Sequence, residues 1–128
     1  MSRAFVVAGA LLAALAVMLG AFGSHGLSAH FEAHPDLKPT FQTASEYHLV
    51  HAVALVVAGG IASRWPGRLS NWGGVLLATG IVLFSGSLYA LSILNVRGMG
   101  AVAPFGGAAL ILGWLCLALA GWRGNRTP

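Results

Sequence analysis

Five histidines, two tyrosines and a small set of serines are the side chains of this sequence best able to carry chemistry. His48 and His51 stand inside an apolar stretch, and Tyr47 precedes His51 by one helical turn, so the two share a face. Ser85 and Tyr89 repeat that spacing in a later apolar stretch, with Ser87 beside them, and His25 closes the first stretch. An imidazole can hold or release a proton near neutral pH, and Ser and Tyr hydroxyls can complete its hydrogen bonds. The expectation is one polar layer with His51, Tyr47, Ser85 and Tyr89 in hydrogen-bonding reach, Ser87 adjacent and His25 above them. Such a layer either fixes helix register or binds a proton, an ion or a small polar molecule.

Other chemistries have less support. His25, His30, His34, His48 and His51, with Glu32 and Glu46, could supply metal ligands. However, His30 and His34 are joined only by an H-x-x-x-H spacing, without a companion cysteine or an HExxH motif. No metal site is expected. A haem between helices draws histidines from facing helices, whereas both deep histidines here share one segment. No cofactor is named by these residues, and no nucleophile, base and acid come together as a catalytic set. Gly20-x-x-Gly23-x-x-Gly26 reads as a helix end and not as a phosphate cradle. Cys116 is single, so it forms no internal disulfide.

These residues must be held by membrane-spanning elements. The chain has 128 residues, of which 8% are charged and 57% apolar, and its mean hydropathy is +0.80. Soluble domains carry about 25% charged residues. That contrast excludes a soluble fold, a disordered chain and a disulfide scaffold. The net charge of +4 arises from scattered arginines rather than a basic patch, so nucleic acid is not an expected partner. Apolar segments run over residues 4–23, 44–63, 72–94 and 101–122. Each is about the 20 residues that a helix needs to cross a bilayer, and backbone groups in lipid must be satisfied internally. The expected fold is a single-domain, all-α integral membrane four-helix bundle, with the first segment retained as a helix and not cleaved as a signal.

Local chemistry sets the expected ends. Thr43-Ala44-Ser45-Glu46 fits a capping box for the second helix. Ser70 or Asn71 can cap the third, and Pro104 suits the first turn of the fourth. Counted from Thr43, His51 lies about 12 Å along its helix, and Ser85 lies about 13 Å from the same side. Four spans put Arg3, Arg64, Arg68, Arg123 and Arg126 on one side, against Lys38 and Arg97 on the other. The positive-inside rule makes the first side cytoplasmic, with both termini in. In the outer loop, Leu27, His30, Phe31 and His34 have the spacing of a short helix lying in the interface. Helices in lipid approach through small residues, and Gly20, Gly23, Pro104 and Gly107 are assigned to that packing.

Several motifs bear a resemblance. They are Gly20-Ala21-Phe22-Gly23-Ser24-His25-Gly26-Leu27, Phe41-Gln42-Thr43-Ala44 leading to Tyr47-His48-Leu49-Val50-His51-Ala52, Leu83-Phe84-Ser85-Gly86-Ser87-Leu88-Tyr89, and Pro104-Phe105-Gly106-Gly107 before Gly113-Trp114. Together they resemble the small membrane family known as domain of unknown function 423, which includes YgdD-type bacterial inner-membrane proteins and the eukaryotic transmembrane protein 256. The resemblance implies a four-helix protein of the bacterial inner membrane and no particular activity. Its motifs match at His25, Tyr47, His51, Ser85, Ser87, Tyr89, Pro104 and Gly107, and it treats the His48 position as variable.

The leading expectation is a non-enzymatic accessory or interaction component, with the lipid bilayer, other membrane proteins or a second copy as partners. The alternative is a small oligomeric transporter or binding protein for a proton, cation or small polar molecule, acting through the His/Tyr/Ser layer. A membrane enzyme using His25 or His51 as base is a third reading, disfavoured because no acid is placed beside either.

Overall fold

The computed structural model describes residues 1–124, whose regular elements are all helices, with no strand among them. Arg126 lies outside the described residues. The elements are α1 (Ser2–His25), α2 (Ser28–Ala33), α3 (Lys38–Arg64), α4 (Arg68–Gly80), a π-helical turn (Ile81–Ser85), α5 (Gly86–Leu94), a 3₁₀ turn (Arg97–Ala101) and α6 (Ala103–Gly124). Because α4, the π-turn and α5 are continuous, four helical spans are long and apolar enough to cross a membrane: Ser2–His25, Lys38–Arg64, Arg68–Leu94 and Arg97–Gly124.

The helix ends differ from those expected. α3 begins at Lys38, with Pro39 in its first turn, instead of at Ala44. Pro39 has its φ preset for a helix and lacks an N–H that would be orphaned there, so the Thr43–Glu46 stretch lies inside the helix. Over 27 residues α3 is about 40 Å long, and His51 is its midpoint. At the far end Trp65 leaves helical geometry (φ −129°, ψ 75°), as a residue before proline tends to do. α4 starts at Arg68, so neither Ser70 nor Asn71 caps it; Gly67 is the N-cap and the Ser70 hydroxyl turns back to the Trp65 carbonyl. α5 stops at Asn95, which is in the left-handed region (φ 55°).

The spans pack as an open series, not as a closed ring. α1 lies along α3; α3 lies against α4, the π-turn and α5; α6 lies along α4 and the π-turn; α1 and α6 share no broad contact. The core between them comprises Phe5, Ala54, Leu55, Ala58, Ala62, Leu77, Ile81, Leu110 and Leu117. Glycine sets the close crossings. A methyl group on Gly9 would lie 2.8 Å from the Ala52 carbonyl oxygen, and one on Gly59 would lie 2.7 Å from that of Ser2. One on Gly106 would strike the Phe84 amide nitrogen in the π-turn. These backbones touch, which is how helices gain packing where lipid offers no hydrophobic contrast.

The residues assigned to packing from sequence divide accordingly. Gly23 has no room for a methyl beside the Phe41 ring. Gly20 and Gly107 would meet only ordinary contacts, at 3.6 Å from Ser45 Oγ and 3.7 Å from the Phe84 ring. Pro104 is exposed in the first turn of α6.

One end of the molecule holds α2 and both flanking turns. Leu27 and Phe31 are buried with Leu37 and Phe41 against Tyr89, Leu91 and Ile93. The apolar face expected to lie in lipid is therefore turned onto the protein. His30 Nε2–H donates to the Ser92 carbonyl at 2.8 Å, and Arg97 pairs with Asp36 at 3.0 Å.

Candidate functional site

The expected single layer is two separate polar ties, made by histidines on adjacent faces of α3. His48 and His51 are three residues apart, about 60° short of a full turn, so they meet different neighbours. His51 faces α6. Trp114 Nε1–H donates to its Nε2 at 3.1 Å, and its Nδ1 bonds the Tyr47 carbonyl at 2.8 Å. An indole N–H only donates and a carbonyl only accepts. The ring therefore carries its proton on Nδ1 and offers a lone pair at Nε2. Tyr47 stacks its ring on His51, with centroids 5.7 Å apart and planes 12° apart, and also packs on Phe84. Its hydroxyl bonds none of the expected partners.

His48 faces α5. Its Nδ1 and the Tyr89 hydroxyl are hydrogen-bonded at 2.9 Å, while its Nε2 is buried without a partner. The Tyr89 ring also packs on Phe41.

The other expected members lie apart. His25 is exposed at the end of α1 and joins neither tie. Ser87 donates to the Phe84 carbonyl at 2.9 Å, within its own span. Ser85 is buried in the π-turn with its hydroxyl unpartnered. The π-turn explains the failure of the Ser85–Tyr89 stripe, because one wide turn rotates the residues on either side out of α-helical register.

Three residues outside the expected layer complete this geometry: Trp114, His48 and His30. An indole N–H midway along an apolar span needs an acceptor, and that was the available sign for Trp114. His48 is the most buried of the five histidines, at 2% exposure. His30 had no signal beyond its place on the apolar face of α2.

Beside the ties, at the α2 end, lies a half-open groove of about 540 Å³ between α1, α2 and α3. Ser24, Ser28, Glu32, Lys38, Gln42, Ser45 and Glu46 supply its polar lining. Ser45 lines the groove one turn before His48 on α3. Among the described residues no three histidine, cysteine or carboxylate side chains are placed to hold a metal ion.

Comparison with known proteins agrees with the membrane reading. Residues 19–107 match the family model described as "Protein of unknown function (DUF423)". The UPF0382 membrane protein YwdK of Bacillus subtilis is 42% identical over 120 residues, covering 92% of this chain and 95% of that protein. A UPF0382 membrane protein of Staphylococcus epidermidis is 42% identical over 118 residues, covering 92% and 94%. One from Staphylococcus aureus is 36% identical over 121 residues, covering 94% and 97%. No solved structure matches the chain. With its four apolar helices and these relatives, the chain belongs to the DUF423 family of membrane proteins, as its motifs had implied.

Proposed function

We propose that the protein is a non-enzymatic, multi-pass component of the bacterial inner membrane that acts through contacts with other membrane proteins or a second copy of itself. The observation that carries this reading is the bonding of His51 within the bundle. Both ring nitrogens of His51 are bonded, Ser87 and Ser92 bond their own backbone, and no carboxylate bonds either deep histidine among the described residues. Interhelical hydrogen bonds of this kind stabilise a membrane fold by about 0.6–2 kcal/mol each without further purpose. The flanking helices keep apolar side chains exposed, among them Leu11 and Met18 on α1 and Phe105 and Ile111 on α6, for lipid or a partner.

In this reading both termini are cytoplasmic. Arg3, Arg64, Arg68 and Arg123 belong to the end away from Glu32, Asp36 and Glu46, as the positive-inside rule requires. α2 then caps the outer end at the lipid–water boundary. Purification from native membrane in mild detergent, with mass spectrometry of what copurifies, tests the assignment. A stable partner or an oligomer is expected, and a bare monomer would remove its basis. A reporter fused after Pro128 should be active only in the cytoplasm.

One observation favours a second reading, the binding of a small polar molecule. The groove gathers Glu32, Glu46 and Lys38, and none of them is ion-paired among the described residues. Its two carboxylates and hydroxyls suit a ligand bearing an ammonium group. Loss of ligand binding on Glu46→Gln, with His51→Ala leaving it intact, is the pattern this reading expects.

A further inference from the structure

A second cleft, of about 520 Å³, opens at the opposite end of the molecule, where α3 turns into α4 beside the end of α6. Arg64, Arg68 and Arg123 all line it, one each from α3, α4 and α6. Among the described residues none of the three is paired with a carboxylate. The sequence explains why: its three acidic residues, Glu32, Asp36 and Glu46, all belong to the α2 end.

The cleft is built, not merely basic. Trp65 rests its ring on α6, where Gly124 leaves no room for a methyl and Gly121 would meet the ring at 3.6 Å. That contact pins the turn to α6 and brings Arg123 to the other two. Arg64 lies over the Trp65 ring at 5.9 Å, which keeps one guanidinium at the wall. The floor is the start of α4, whose first turn carries no acidic residue and no side-chain cap. Its leading N–H groups lack helical acceptors, and the helix dipole adds positive potential there. Three guanidinium groups around an open helix N-terminus match the charge and the acceptor geometry of a phosphate oxyanion.

We infer that this cleft binds a phosphate-ester anion, carried by an anionic lipid headgroup or by a soluble phosphate compound. The inference goes beyond the interaction role proposed above and does not depend on it. Basic pockets between spanning helices suit lipid phosphates, and each arginine near such a surface contributes about a fivefold gain in binding.

The test uses the full chain in a neutral detergent, with bound species counted by native mass spectrometry. Dioleoylphosphatidylglycerol should bind well above dioleoylphosphatidylcholine. Arg64→Gln, Arg68→Gln and Arg123→Gln should each weaken it about fivefold. Arg68→Lys, which keeps the charge, should retain most of the binding, and Arg97→Gln at the far end should retain all of it. A parallel titration with inorganic phosphate separates the sources. Phosphatidylglycerol bound far more tightly than phosphate assigns the site to lipid, while equal affinity assigns it to a soluble phosphate ester. Equal binding of the two lipids, or phosphatidylglycerol binding unchanged by all three glutamine variants, would overturn the inference.

Discussion

Replacing Trp114 by phenylalanine removes one hydrogen-bond donor and leaves a ring at the same place. The structure fixes the size of the effect. The lost bond is of ordinary length, 3.1 Å, and it joins α3 to α6 through their side chains. Its acceptor cannot find a substitute, since His51 is 7% exposed and its other nitrogen is held by the Tyr47 carbonyl. Hydrogen bonds between spanning helices average about 0.6 kcal/mol and reach about 1.7 kcal/mol. A buried acceptor left unsatisfied belongs in the upper half of that range. The expected loss is about 1 kcal/mol, or roughly fivefold in the folded-to-unfolded ratio. Equilibrium unfolding in mixed micelles by sodium dodecyl sulfate, followed by circular dichroism, reads it. Trp72→Phe corrects for the change in ring size, since Trp72 is 57% exposed. A cycle with His51→Leu isolates the pair. If Trp114→Phe matched Trp72→Phe, or the cycle gave no coupling, the tie between α3 and α6 would have no energetic content.

Three further outcomes follow from the same structure. Gly106→Ala should cost about 1–3 kcal/mol in the same assay, because the added methyl meets the backbone of the π-turn, whereas Gly107→Ala should be near neutral. Asp36 has its carboxyl held below the ordinary 3.8 by the hydrogen bond from Arg97, so its contribution to folding is complete above that value and lost as pH falls through the lower one. A carbon-13 titration should place its midpoint below 3.8 and return it upward in Arg97→Gln. His30→Phe removes the bond to the Ser92 carbonyl, so cleavage by a soluble protease within residues 33–37 should become several times faster.

The four spans were legible because each carries its own evidence in a run of apolar residues. The sorting of the basic residues between the two ends was legible as well, since chain order and an even number of crossings determine it. The start of α3 was not, because Thr43–Glu46 has the composition of a cap and only Pro39 marks the true first turn. Nor was the separation of the layer into two ties. Spacing along α3 gives the angle between His48 and His51 but not which helix stands at each face. The π-turn between Gly80 and Gly86 shifted the partner residues once more. Trp114 was read as part of an apolar span, although its one polar atom joins two helices.

The packing order of the spans bears on how the protein is made. α1 finds its main neighbour in α3, and α6 finds its own in α4 and the π-turn, so each half of the chain is a helical hairpin with a glycine-lined seam. During synthesis the first hairpin can close as soon as its second span enters the bilayer, before the remaining spans exist. The second hairpin can form without help from the first, and the two then dock through α3. Breaking the chain at the Pro66–Gly67 junction should therefore leave two pieces that recombine when they are produced separately in one membrane.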